Sequence, residues 1–190
     1  MFILYTLSAE ELSNRDSAIE QYISAMANAD ASAMGGLYQL IKTDVYAYAL
    51  SKLGKREDAE DITHDTFVQI YKNAPLYRSQ GKPMAWIITI ETNLIRRHYQ
   101  SASRTVTLDE SVSAESAQED FTESVIDSEF IKALLRRLNE DEREVITLHV
   151  NSGLKHREIA KILKLPLSTV LSRYNRAIKK LQIIVKEGTK

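Results

Sequence analysis

The chain has 190 residues, of which 44% are hydrophobic and 27% charged, and its formal net charge is −1. This length allows one domain or two small ones, and the absence of cysteine excludes disulfides and thiolate metal sites. The apolar start, MFILYTL, follows no basic segment, and no later apolar run is long enough to span a bilayer. We therefore expect a cytoplasmic protein without a signal peptide or membrane insertion.

Charge and composition divide the chain into segments. Residues 102–126 are rich in Ser and acidic residues and contain few large apolar side chains, so they cannot bury enough surface to form a core. They predict a flexible acidic linker between two domains, 17–101 and 127–187, with residues 1–16 as an N-terminal extension. The chain has only six Gly and three Pro and no strict alternation of apolar and polar residues. The predicted fold is therefore all-α, with two small helical domains.

Apolar residues at helical spacing predict several helices in the first domain. The stretch from Leu37 to Leu53 is followed by Gly54, a residue suited to a helix C-cap. The next helix has acidic residues in its first turn and ends at Pro75. A loop, PLYRSQGKP, leads to a further amphipathic helix that starts near Met84.

The helix before Pro75 has an acidic face. Its carboxylates include those of Glu57, Asp58, Glu60, Asp61 and Asp65. Compensation of the helix dipole explains the acids of the first turn but not Asp65. Because like charges at i,i+4 repel each other, this face is expected to meet a basic protein partner.

The following helix is basic and aromatic instead. Tyr77, Trp86 and Tyr99 can stack on unpaired bases, while Arg96 and Arg97 can hold a nucleic-acid backbone. The alternative is that Trp86 belongs to the hydrophobic core, where a single Trp is commonly found. The sequence leaves both interpretations of Trp86 open.

Four helices are predicted in the second domain. Asp127 can cap a helix whose apolar stripe includes Phe130 and Leu138, and Asn139 can cap the next. The break at Asn151-Ser152-Gly153 precedes a short helix, HREIAKIL, and a tight turn, KLPL. A last amphipathic helix begins at Ser168 or its neighbour.

A short helix, a tight turn and a second amphipathic helix form a helix-turn-helix, which binds duplex DNA in the major groove. From residue 155 to the end, ten Lys and Arg stand against two Glu. The outward face of the second helix combines hydroxyl, amide and cationic groups: Ser168, Thr169, Ser172, Arg173, Asn175, Arg176 and Lys179. These groups hydrogen-bond to base edges or phosphates, so the pattern favours DNA binding over a merely solvated face.

Enzyme motifs are missing from the sequence. The four histidines, His64, His98, His149 and His156, are not at metal-binding spacing, and there is no cysteine to complete a site. No glycine-rich phosphate loop or nucleophile elbow is present. We expect no catalysis, no metal, no cofactor and no small-molecule substrate.

The combination of DAEDITHDTF, AWIITIETN and REVITLHVNSGLKHREIAKILKLPLSTVLSRYNRAIKKL resembles the bacterial extracytoplasmic-function sigma factors. The resemblance covers roughly residues 20–186. It implies a sigma region 2 domain at 17–101, which binds core RNA polymerase and the minus-ten promoter element, and a sigma region 4 domain at 127–187, which binds the minus-thirty-five element. The function it implies is that of an alternative sigma factor that directs promoter recognition, DNA melting and transcription initiation at a specific regulon.

The resemblance also implies partners and contact residues. The partners are the clamp coiled coil of the largest polymerase subunit, the polymerase flap for the C-terminal domain, promoter DNA, and an anti-sigma factor that in some cases holds the protein at the membrane. The implied polymerase-binding residues are Asp58, Glu60, Asp61, His64, Asp65 and Phe67. The implied minus-ten residues are Tyr77, Arg78, Trp86, Asn93, Arg96, Arg97 and Tyr99. The implied minus-thirty-five residues are Lys155, Arg157, Ser168, Thr169, Ser172, Arg173, Arg176 and Lys179.

Some positions depart from the pattern of that family. Lys164 occupies a turn position where Gly is common. A non-Gly residue can adopt positive φ there at a cost of roughly 1 kcal/mol, so we expect the turn to differ slightly from the family pattern. Leu171, Ser168 and Arg96 also replace more usual residues, which makes the promoter sequence unpredictable. The alternative function is a stand-alone helix-turn-helix regulator that binds duplex DNA as a dimer. The absence of a heptad stripe for dimerisation disfavours it.

Overall fold

The computed structural model describes residues 8–106 and 137–187. Within these two ranges every regular element is helical, in agreement with the predicted all-α fold. The elements are α1 (Ala9–Ala27), α2 (Ala33–Leu53), α3 (Arg56–Asn73), a 3₁₀ turn (Ala74–Leu76), α4 (Pro83–Val106), α5 (Glu140–Val150), α6 (His156–Leu163) and α7 (Leu167–Glu187). We call α1–α4 the N-terminal domain and α5–α7 the C-terminal domain.

Helix α1 begins earlier than the predicted domain boundary. Ser8 and Glu11 form a reciprocal capping box, so the helix starts at Ala9 and residues 9–16 of the predicted extension belong to it. Arg15 then anchors this part of α1, because its Nη2 lies 2.6 Å from Asp44 Oδ2 on α2. The N-terminal domain therefore includes residues that the sequence placed outside it.

Helix α2 forms the centre of the N-terminal domain. Ile41, Val45 and Tyr48 are buried on it, and residues from α1, α3 and α4, such as Ile19 and Ile87, close around them. Gly54 ends α2 with φ 70°, as the sequence predicted, because glycine adopts this left-handed conformation without a steric penalty.

The C-terminal domain has the predicted helix-turn-helix. The Asn139 side chain caps α5 through a capping box with Glu142, and Pro166 precedes α7. Lys164 adopts φ 57° at the end of α6, so this non-Gly residue takes the left-handed conformation at the turn. The predicted linker, 102–126, lies outside the described residues except for 102–106, which continue α4. The predicted helix from Asp127 also lies outside them.

The two domains pack directly against each other, a feature that the sequence did not predict. Helix α5 lies against α2, and α6 lies against α4. Val145, Leu148 and Ile159 of the C-terminal domain join the hydrophobic core of the N-terminal domain. None of the described helices has the length and apolar character needed to cross a membrane.

Candidate protein and nucleic-acid interfaces

Helix α3 presents the predicted acidic face to solvent. Glu57, Glu60, Asp61 and Asp65 are exposed and define this acidic face, and His64 is exposed beside them. The opposite face of α3, from Ala59 to Ile70, is buried against α2 and α4. The helix can therefore offer its carboxylates to a basic partner without disturbing the core.

Two residues of the predicted polymerase-binding set are less accessible. The Phe67 side chain packs against the Tyr38 ring at a centroid distance of 4.8 Å, and Phe67 is only 5% exposed. Asp58 is half-buried, with its Oδ2 3.7 Å from His98 Nε2. The structure therefore makes Phe67 a residue that positions α3, because its ring is not available to a partner.

A groove beside the acidic face was not predicted from the sequence. It has a volume of about 340 Å³ and lies between α2 and α3, with Tyr38, Lys42 and Tyr46 on one wall and Glu60 and His64 on the other. The exposed Tyr38 ring on α2 was the available signal, since a large aromatic at the surface often marks a contact site.

Five of the seven predicted minus-ten residues line one cleft beside α4: Tyr77, Arg78, Trp86, Asn93 and Arg96. The rings of Tyr77 and Trp86 are 4.8 Å apart, and the Tyr77 hydroxyl donates a hydrogen bond to Glu20 Oε1 at 3.0 Å. Burial, reinforced by this carboxylate, raises the pKa of the Tyr77 hydroxyl. Trp86 is half-buried: it packs on the core and also lines a cleft, so both interpretations of this residue hold in part.

The other predicted minus-ten residues differ in how accessible they are. Arg78, Asn93 and Arg97 are exposed, whereas the Arg96 guanidinium donates to the Ile162 carbonyl oxygen of the C-terminal domain at 3.3 Å. The Tyr99 hydroxyl donates to the Lys52 carbonyl oxygen. Arg96 and Tyr99 are therefore engaged within the protein itself.

The minus-ten side of α4 faces α6 across a cleft of about 560 Å³. Five cations line this cleft: Arg78, Lys82, Arg96, Lys161 and Lys164. Glu158 is also in its wall and pairs with Lys82 at 2.7 Å. Basic groups around a half-buried Trp suit an unpaired nucleic-acid strand. In this arrangement of the domains, however, α6 lies over the minus-ten side of α4.

Helix α7 presents the predicted DNA-binding face. Ser168, Ser172, Asn175, Arg176 and Lys179 are exposed, as are Lys155 and Arg157 at the start of α6, while Thr169 and Arg173 are half-buried. Arg173 Nη2 lies 2.7 Å from Asp141 Oδ2, and Arg176 donates to the Ser172 hydroxyl at 3.2 Å. The outward face of α7 is thus open to a DNA groove, with Arg173 held by an acidic neighbour.

A buried carboxylate under α7 was missed by the sequence analysis. Glu142 is 1% exposed, and its carboxylate lies 2.7 Å from Lys180 Nζ and 3.5 Å from Arg176 Nε. Burial raises its pKa, but hydrogen bonds from the Lys180 ammonium and the Asn139 backbone N–H together hold the pKa of Glu142 below its ordinary value. This carboxylate ties the cap of α5 to the side of α7.

Replacing Glu142 with Gln should destabilise the protein by about 1–3 kcal/mol, because it removes the charge that pairs two cations and weakens the reciprocal cap. Chemical denaturation at pH 7 checks this value. The mutational difference should shrink as pH falls through the lowered pKa of Glu142, since the native carboxylate then also becomes protonated. Equal stability of both proteins at pH 7 would show that the carboxylate contributes little.

His149 and His156 come together although their spacing did not suggest a cluster. Their rings stack at a centroid distance of 4.4 Å, and the Tyr174 ring meets both edge-on. Burial, with the neighbouring His149, lowers the pKa of His156. In the part of the chain that the structure describes, no group of three or more His, Cys, Asp or Glu is placed to hold a metal.

Models of known protein families match both halves of the chain. The model of sigma-70 region 2 matches residues 37–105, and the model of sigma-70 region 4 matches residues 130–181. The chain belongs to the extracytoplasmic-function sigma factors. The first match coincides with α2–α4, and the second includes the helix-turn-helix, so each candidate surface lies in a recognised region.

Individual relatives agree with this assignment. The chain is 31% identical over 158 residues to the sigma factor BldN of Streptomyces coelicolor. The matched segment covers 80% of this chain and 60% of BldN. It is 27% identical to SigL of Mycobacterium tuberculosis, covering 87% of this chain and 96% of SigL. The chain also resembles Bartonella quintana RpoE, whose structure was solved in complex with the anti-sigma factor NepR. The two share 28% sequence identity and a TM-score of 0.59, and the match covers 78% of this chain and 94% of RpoE.

Proposed function

We propose that this sigma factor docks on core RNA polymerase through the acidic face of α3 and directs the enzyme to promoters through α4 and α7. The observation that carries the proposal is the arrangement of charge: an exposed acidic face on α3 and an exposed basic face on α7, each in its matched sigma region. The chain itself supplies binding and positioning, and the polymerase supplies the catalysis.

The two promoter surfaces have different tasks in this proposal. The exposed hydroxyl, amide and cationic groups of α7 bind the minus-thirty-five element as duplex. Trp86, with Asn93 and Arg97 beside it, binds the minus-ten element after its bases leave the stack. Unstacking a base costs a few kcal/mol, and stacking on an aromatic ring offsets part of that cost. The C-terminal domain would also contact the polymerase flap.

Control of the protein is part of the proposal. The related RpoE was solved with its anti-sigma factor NepR, which supports an anti-sigma partner for this chain as well. The proposed function places the protein in the cytoplasm, on the nucleoid when it is active. The described residues contain no extended apolar stripe that would favour the alternative, a dimeric stand-alone regulator.

The proposed function can be tested by measuring DNA retention with and without polymerase. Fragmented genomic DNA of the source organism would be incubated with the protein alone, with sigma-free core polymerase alone, and with both. We expect a defined set of fragments to be retained in a heparin-resistant form only when both are present. Retention of the same fragments by the protein alone would contradict the proposal and favour a stand-alone regulator.

Within this proposal, replacing Arg173 with Ala should lower promoter affinity by about 1–3 kcal/mol if its guanidinium contacts a base. The measurement is retention of the identified promoter by the reconstituted holoenzyme. Asp141→Ala is the matched control, since it breaks the same 2.7 Å ion pair but leaves the guanidinium free for DNA. If both variants lose equal affinity, the role of Arg173 is structural and the base contact is wrong.

A further inference from the structure

Four exposed side chains form a line along one edge of the outward face of α7. Ser168, Leu171, Asn175 and Lys179 follow one another at spacings of three and four residues, so they lie on the same side of the helix. All four are exposed, and Leu171, at 39%, is the apolar member among polar neighbours. We call these four residues the open stripe of α7.

The protein itself does not occupy the polar groups of the open stripe. Among the described residues, no hydrogen bond or ion pair engages the side chains of Ser168, Asn175 or Lys179. The Asn175 carboxamide therefore has both its acceptor oxygen and its donor NH₂ group available to an outside partner.

The opposite edge of the same face is held by acidic residues of α5. Arg173 Nη2 lies 2.7 Å from Asp141 Oδ2, and Lys180 Nζ lies 2.7 Å from Glu142 Oε2. Arg176 Nε is 3.5 Å from the same Glu142 carboxylate. These carboxylates compete with guanine, the base that arginine and lysine recognise. No described group competes for the open stripe in this way.

The open stripe begins in the part of α7 that enters the groove. In a helix-turn-helix, the N-terminal residues of the second helix contact the base edges. Leu171 and Asn175 both lie in the first half of α7. Side chains at i,i+4 have Cβ atoms about 5–6 Å apart, and base pairs follow one another every 3.4 Å or so. The two side chains can therefore reach the same base pair or two neighbouring ones.

An A·T pair offers a partner to each of these side chains. In the major groove, thymine presents its C5 methyl group, which makes an apolar contact with a side chain such as that of Leu171. Adenine presents an acceptor at N7 beside a donor at N6, which together match the carboxamide of Asn175. A G·C pair has no methyl group there, and its guanine presents two acceptors instead. Leucine and asparagine at these positions thus favour A·T over G·C.

We propose that Leu171 and Asn175 select one A·T pair, or two neighbouring ones, in the minus-thirty-five element, with Leu171 on the thymine methyl and Asn175 on the adenine edge. This inference rests on the proposed function, because it takes α7 as the helix that binds this element as duplex. Lys179, further along the open stripe, is placed to contact a phosphate.

Selection from a duplex pool of random sequence tests the proposal. The pool would be incubated with the full chain and sigma-free core polymerase, with the chain alone, and with core alone, and the DNA retained after a heparin challenge would be sequenced. We expect Leu171→Ala to lower the thymine preference at one position about fourfold, the factor that one buried methyl group is worth. Asn175→Ala should lower the adenine preference at the same or a neighbouring pair about fivefold or more.

Matched variants separate base reading from general effects on α7. Ile183→Ala truncates another exposed apolar side chain of α7, and Gln182→Ala removes another exposed amide. Both changes should leave the base preferences as they are in the native protein. Leu171→Met keeps an apolar side chain and should keep the thymine preference. Circular dichroism reports the helix content of each variant.

Base analogues test the two contacts atom by atom. In an enriched duplex, deoxyuridine in place of thymine removes only the methyl group, and 7-deazaadenine in place of adenine removes only the N7 acceptor. Deoxyuridine should weaken retention by the native protein about fourfold. This loss should disappear in Leu171→Ala, and the loss caused by 7-deazaadenine should disappear in Asn175→Ala, because the interacting partner is already missing.

The outcomes separate this inference from the proposed function. If Leu171→Ala and Asn175→Ala enrich the same sequences as the native protein, or lose DNA binding uniformly at every sequence, the inference is wrong. If the chain alone enriches the same sequences as the chain with polymerase, the proposed function is wrong, and the two variants still decide the base contacts. If no sequence is enriched under either condition, α7 reads no base and the inference is wrong.

Discussion

Reversing the charge of Asp61 or Asp65 is expected to weaken binding to core RNA polymerase by about tenfold to a hundredfold. Both carboxylates are exposed on the acidic face of α3, whose other side is buried in the core. Replacing an acid by Arg at such an interface removes an attraction and adds a repulsion, and close charge pairs across interfaces are coupled by more than about 1.5 kcal/mol. The affinity can be measured by fluorescence anisotropy of labelled protein titrated with core.

The fold should survive these changes, because neither side chain makes a buried contact in the structure. Glu10→Arg is the control: it makes the same charge change at an exposed position on α1, away from α3. Its polymerase affinity should equal that of the native protein. If Asp61→Arg and Asp65→Arg both bind core as tightly as the control, the assignment of α3 as the docking helix is wrong.

A second large effect is expected at Glu91, where Gln should make the protein more stable at pH 8. Glu91 is 0% exposed, in the core of the N-terminal domain, and among the described residues neither carboxyl oxygen accepts a hydrogen bond of good geometry, although the Ala49 backbone lies near. Burial raises the pKa of Glu91 well above the ordinary value of 4.5, and the charge of Asp44 adds to the increase. The neighbouring Ala49 backbone lowers the pKa, but by less than burial raises it. The folded protein therefore binds a proton that the unfolded chain releases.

The sign of the pH dependence follows from this raised pKa. Where Glu91 is protonated in the folded state and ionised in the unfolded state, stability falls by about 1.4 kcal/mol for each unit of rising pH. Asp44, whose pKa burial raises to about 6 against the charge of Arg15, adds to this slope only at lower pH. His156, whose pKa is lowered, also titrates at acidic pH. Because Asp44, Glu144 and His156 are present in both proteins, the difference in slope between the native protein and Glu91→Gln consequently reports Glu91.

Denaturant unfolding of both proteins at several pH values from 5 to 8.5 measures this effect, because the effect begins above the ordinary pKa of 4.5. We expect the stability of the Glu91→Gln protein to depend less steeply on pH and to exceed that of the native protein by about 1–3 kcal/mol at pH 8. The gain is less than the full cost of protonating Glu91, because the buried Gln amide also lacks hydrogen-bond partners. Glu57→Gln, an exposed change of the same kind on α3, should alter stability by less than about 0.5 kcal/mol. A destabilised Glu91→Gln protein, or an unchanged slope, would show that the carboxyl is ionised in the folded state.

Local features of the fold could be predicted because they depend on neighbouring residues. The cap at Gly54 and the cap at Asn139 both follow from residue type and periodicity, and the structure contains each of them. The early start of α1 had the same kind of signal, a Ser8–Glu11 capping box, which the sequence analysis overlooked. The spacing of Ala59, Ile62, Phe67 and Ile70 also predicts that Phe67 lies on the inward face of α3, although the family resemblance assigns it to the partner interface.

Long-range features could not be predicted in this way. Tyr48 and Glu144 are 96 positions apart, and nothing in the pattern around either residue indicates that they meet. The contact of α6 with the minus-ten side of α4 is likewise a property of the packed domains. The sequence therefore predicted side chains that lie exposed on each surface, but not that Phe67, Arg96 and Tyr99 are engaged within the protein, nor that one surface covers another.

The most direct test of the central claim is transcription in vitro. Purified protein and sigma-free core polymerase would be given fragmented genomic DNA of the source organism, and new RNA 5′ ends would be mapped with and without the protein. We predict discrete new start sites that share two upstream elements, and fewer of them with Asp61→Arg. If no new starts appear while the protein alone binds duplex fragments, the chain does not act as a sigma factor.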